Sequence, residues 1–157
     1  MGSPTLVSIS FGGNNVHLRK HWGGVGPAFG LELITFLEEA GKEKARLHFH
    51  TGSYFVRMLL SSGHGAGGLP DFEMVPMPLP DTADTDFRGD WDSAYLFECF
   101  GTGEAAIGLD AYEWRIGYLQ RCSGERIEAL RGLARWYTLE EFRSFAESKT
   151  AAEPEPT

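Results

Sequence analysis

The sequence predicts an α+β fold: a largely antiparallel sheet built from hairpins, with one early helix and two C-terminal helices packed on one face. Three observations carry that expectation. Short segments alternate apolar and polar residues and are separated by glycine-rich turns, the pattern of half-buried strands. Apolar residues at helical spacing appear early, over residues 29–40, and again in the last third of the chain. The 157 residues are 42% hydrophobic and 13% aromatic, which suits one domain with a sizeable core. That domain is expected over residues 1–148, followed by a flexible, acidic and proline-containing tail over 149–157.

Val7, Ile9 and Phe11 face one way and lead into Gly12-Gly13-Asn14-Asn15, a good hairpin turn. The return strand carries Val16 and Leu18, with His17, Arg19 and His21 on its other face. Gly23, Gly24, Gly26 and Pro27 then break regular structure. Leu33, Phe36, Leu37 and Ala40 define the early helix, and Gly41 is its expected C-terminal cap.

Ala45, Leu47 and Phe49 alternate with Arg46, His48 and His50, and Thr51-Gly52-Ser53 leads into the apolar run Tyr54–Leu60. This region reads as a second hairpin. Pro70, Pro76, Pro78 and Pro80 permit no more than an edge strand around them. Residues 94–100 and 104–110 flank a Gly101-Thr102-Gly103 turn, and Tyr112, Trp114, Ile116 and Tyr118 form the cleanest alternating face. Near the end, Ile127, Leu130, Leu133, Ala134 and Tyr137 make one helical stripe opened by Ser123. Thr138 and Glu141 then form a capping box before Leu139, Phe142 and Phe145.

Charge is distributed unevenly. Between Asp71 and Asp92 stand seven acids (Asp71, Glu73, Asp81, Asp84, Asp86, Asp90, Asp92) and one base, Arg88, a local balance of −6 within a chain of formal charge −8. Unpaired carboxylates do not bury, so this segment is expected at the surface, projecting a negative field. The field suits a basic protein partner and argues against nucleic-acid backbones and anionic membranes. Phe87 and Trp91 among these acids resemble the aromatic anchor and polar rim of a binding hot spot.

The chemical motifs are fragmentary. His48 and His50 on one strand face would lie about 7 Å apart, and with His64 they form a candidate site for zinc, copper or iron. A cupin-like arrangement wants a Glu shortly after the second His, where Tyr54 and Phe55 stand instead. His64-Gly65-Ala66-Gly67-Gly68 looks like an esterase oxyanion loop, but no nucleophile elbow or later histidine accompanies it. Gly101-Thr102-Gly103-Glu104-Ala105-Ala106 matches a dinucleotide fingerprint only loosely, with a strand rather than a helix expected after it. In Asp84–Asp92 the acids alternate as in a calcium loop. Arg88 and Tyr95, however, occupy positions where an EF-hand wants oxygen donors.

No signal peptide, myristoylation motif or membrane span is visible, and two cysteines, Cys99 and Cys122, suit a reducing cytoplasm. The expected function is that of a small acidic, cytoplasmic binding protein without cofactor, an inhibitor or immunity protein that occludes a basic partner surface. Its binding residues would be Asp81, Asp84, Asp86, Asp90, Trp91 and Asp92. The alternatives are a metal-dependent enzyme centred on His48 and His50, and a structural subunit of a larger assembly.

Overall fold

The first hairpin forms where the alternation places it. Strand β1 (Thr5–Phe11) pairs antiparallel with β2 (Asn14–Lys20), Val7 opposite Leu18 and Ile9 opposite Val16. The computed structural model describes residues 5–11, 14–20, 26–47, 51–61, 72–75, 91–100, 113–122 and 127–152. Among these, β3 (Phe72–Met74), β4 (Trp91–Phe100), β5 (Glu113–Cys122) and β6 (Arg135–Thr138) complete a six-stranded sheet of order β3-β2-β1-β4-β5-β6. The β1–β4 pair is parallel and the other adjacent pairs are antiparallel, so the fold is α+β with a mixed, mostly antiparallel sheet.

One face carries the main core. Val7 and Ile9 of β1, Leu18 of β2, Tyr95 and Phe97 of β4, and Trp114, Ile116 and Tyr118 of β5 all point to it. Three helices cover this face: α1 (Ala28–Leu47), α2 (Thr51–Ser61) and α4 (Leu139–Ala152). Helix α1 contributes Phe29, Leu33, Ile34, Leu37 and Ala40, at the helical spacing expected from the sequence. Helix α4 drives Phe142 among Tyr95, Tyr118 and Tyr137, each pair meeting edge-on. The close approach of α1 to α4 requires Gly30, since a Cβ there would fall 2.6 Å from Phe142 Cζ. Burial, with smaller contributions from Tyr118 and Glu32, holds the Tyr95 phenol well above its ordinary range. Its hydroxyl therefore stays protonated and donates to the Gly26 carbonyl, tying the entry of α1 to the sheet.

The expected second hairpin is a helical hairpin instead. Helix α1 runs past Gly41 to Leu47, and residues 51–61 form α2. Thr51, Phe55 and Leu59 are buried at i, i+4 spacing, a stripe that outweighs the strand-like composition of Tyr54–Leu60. The late stripe is also divided. Helix α3 (Ile127–Leu133) stops before Ala134, whose N–H bonds to Leu130 O, and Tyr137 reaches the core from edge strand β6, opposite Ile116. The capping box opens α4 as expected: Thr138 Oγ1 accepts from Glu141 N at 3.1 Å and Glu141 Oε1 accepts from Thr138 N at 2.9 Å. Helix α4 continues through residues 149–152, which the sequence assigns to the tail.

The opposite sheet face holds a second, smaller core. Leu6, Ala94 and Leu96 alternate with the main-core residues of their strands and join Val75, Trp91 and Leu130 of α3 in one buried cluster. Helix α3 thus differs from the other three in packing on this second face. No described helix is long and apolar enough to cross a membrane.

Candidate interaction site

The acidic segment leaves the sheet at β3 and returns at β4, and its two ends are held in different ways. At the outgoing end, β3 adds to the edge of β2, with Phe72, Glu73 and Met74 opposite Lys20, Arg19 and Leu18. Phe72 is buried and stacks on Phe29 with ring centroids 6.4 Å apart, and the Lys20 ammonium lies 5.7 Å and 5.9 Å from the two centroids. Across the pleat Arg19 meets Glu73 at 3.5 Å, so one carboxylate of the acidic stretch is neutralised by the sheet itself. Val75 then donates its N–H to His17 O at 2.8 Å and buries its side chain in the second core.

At the returning end stands Trp91. It is 2% exposed and packs with Leu6, Val75, Ala94, Leu96 and Leu130. The expectation of an exposed aromatic anchor is corrected here: an indole of this area gains more from the apolar cluster than from a wet loop. Trp91 fastens the segment instead of presenting its ring to a partner. Asp92 follows it in β4, half-buried, and Ser93 accepts the Gly26 N–H at 3.4 Å. Opposite this start of β4, Arg121 adopts φ 56°, the left-handed region, near the end of β5.

Asp81, Asp84, Asp86 and Asp90 lie outside the described residues, as do Phe87, His48, His50, His64 and His21. Among the described residues no group of three His, Cys, Asp or Glu side chains is placed to hold a metal. His17 bonds through Nδ1 to Ser8 Oγ at 2.8 Å, directly across the β1–β2 ladder. Its alternation with Val16 and Leu18 already placed it on this second face, but sequence spacing did not reveal the serine opposite. Cys99 and Cys122 pair with Trp114 and Trp91 at opposite ends of the β4–β5 ladder. Eight residues of strand, about 26 Å, separate them, so no bridge joins the two within one chain.

A shallow recess of about 190 Å³ lies at the β5–β6–α4 junction, lined by Arg115, Trp136, Tyr137, Thr138 and Glu141. The hydrogen bonds from Thr138, with Arg115 contributing further, hold the Glu141 carboxyl below its usual range. That carboxylate is committed to the cap of α4. No family model matches the chain, and comparisons with curated proteins and with solved structures also find no match.

Proposed function

We propose that this chain is an acidic binding protein, working by protein–protein contact as an inhibitor or immunity protein does and occluding a basic surface on its partner. The observation that carries the reading is the double anchorage of the acidic stretch: Val75 and Trp91 are buried in one cluster, with residues 76–90 strung between them. Fixing both ends during folding removes loop-closure entropy that would otherwise oppose association. The carboxylates of Asp81, Asp84, Asp86, Asp90 and Asp92 supply long-range attraction, which acts mainly on the association rate.

Charge reversal tests this reading. The Asp86→Lys/Asp90→Lys variant should associate with the basic partner more slowly, by about tenfold or more at low salt, and with a flatter salt dependence. An association rate equal to that of the unaltered chain at every salt concentration would contradict it.

A further inference from the structure

We infer that the outer edge of β6 is a contact surface for a second copy of this chain, the two β6 strands pairing antiparallel about a two-fold axis at Trp136. Strand β6 closes the sheet at the opposite edge from β3, and among the described residues it pairs only with β5. A strand paired on one side presents its other row of backbone groups to a further strand.

The phase of that row follows from the cap of α4. Thr138 N–H donates to Glu141 Oε1 at 2.9 Å, so it is turned away from β5. Backbone groups two residues apart in a strand point to the same side, which turns Trp136 N–H and C=O outward as well. Two copies meeting at Trp136 exchange a reciprocal pair of hydrogen bonds there. Arg135 of each copy then stands opposite Tyr137 of the other, and Ala134 opposite Thr138.

Two features select a second copy as the occupant. The first is charge. Arg135 opens β6, and Glu140 follows its far end in the first turn of α4, both of them exposed. The Arg135 guanidinium lies 5.4 Å from the Tyr137 ring, on the face that α4 covers. Antiparallel pairing sets the basic end of each strand beside the acidic end of the other, and it does so twice. Parallel pairing would set like charges together.

The second feature is shape. Leu133 is 57% exposed, one of two large apolar side chains that stand out among the described residues, and it lies two positions before β6. The recess of about 190 Å³ is lined by Trp136 and Thr138, on the sheet face where α3 packs. In the register set by Trp136, Leu133 of one copy comes level with the residue after Thr138 of the other, where the recess opens. Each copy thus offers both an apolar knob and a hollow to receive it. The surface lies at the far sheet edge from β3, where the acidic segment departs, and stands independently of the proposed occlusion of a basic partner.

Sedimentation equilibrium of the intact chain, from about 1 μM to about 1 mM, tests the inference. The mass should rise from that of one chain to that of two and no further. Arg135→Glu and Glu140→Arg should each weaken the dimer by about tenfold or more, since every substitution counts twice across the axis. Combining them exchanges the two ends and should restore it. Leu133→Ser should also weaken it, and unchanged melting curves should show that all four variants remain folded. A mass of one chain at every concentration would overturn the inference, as would growth beyond two. So would a dimer indifferent to Arg135→Glu, or one that the combined variant fails to restore.

Discussion

Val75 and Trp91 flank residues 76–90 and are buried in the same cluster on the second face of the sheet. The end of an edge strand and the start of a central strand are thereby held together by side chains. Stability and charge should separate cleanly at this place. Trp91→Ala should cost about 3–5 kcal/mol in urea unfolding, from lost burial and the cavity left behind. Asp86→Asn, which removes a charge from the acidic stretch and no apolar area, should stay within about 0.5 kcal/mol.

The contact between α1 and α4 depends on a missing methyl group. Gly30→Ala improves helix propensity, yet its Cβ would sit within 2.6 Å of Phe142 Cζ and 3.1 Å of Tyr95 Cε1. Phe142 is fully buried among aromatic rings and has little room to yield. Thermal unfolding should show a net loss of about 1–3 kcal/mol. Adding Phe142→Leu to Gly30→Ala should cost less than the sum of the two single changes, because the contact that strains the first is removed by the second.

Acid should weaken the cap of α4. The Glu141 carboxyl is held below its ordinary value of 4.5 in the folded chain, chiefly by the Thr138 backbone N–H. Its contribution is therefore fully present above that value and is lost as pH falls through the lower folded value. Glu141→Gln should unfold at a lower temperature than the unaltered chain at pH 7, and the two should converge as the pH drops below about 4. The comparison needs only melting curves at a few pH values.

Arg121 holds a backbone conformation that side chains disfavour, φ 56°, next to the last residue of β5. Arg121→Gly should stabilise the fold by about 0.5–1 kcal/mol, since glycine reaches this region without a Cβ clash. Arg121→Val should destabilise it, because a β-branched residue is a poorer fit at positive φ. Denaturant midpoints of the two variants should fall on opposite sides of that of the unaltered chain.

Much of the sheet was legible because one face of each strand is buried and the other is not. Val7, Ile9 and Leu18, and later Trp114, Ile116 and Tyr118, alternate for that reason. The Thr138–Glu141 box was legible because capping is a local interaction. Helix α2 was hidden: Tyr54, Phe55 and Val56 favour strands, and only the tertiary burial of Thr51, Phe55 and Leu59 decides for a helix. Tyr137 misled in the opposite way, since it continues a helical spacing while lying on an edge strand. At the candidate site the charge could be read directly, but the direction of Trp91 could not. Burial of that ring depends on Leu6, Leu96 and Leu130, which are distant in sequence.

The most direct test of binding through the acidic segment is a capture experiment from the cell that makes the chain. It compares the intact protein with an Asp81/Asp84/Asp86/Asp90/Asp92→Asn variant whose melting curve is unchanged. Occlusion of a basic surface predicts one stoichiometric protein partner, basic at the contact, retained by the intact chain at low salt and lost both with the variant and at high salt. A partner held equally well by the variant, or no stoichiometric partner at all, would contradict it.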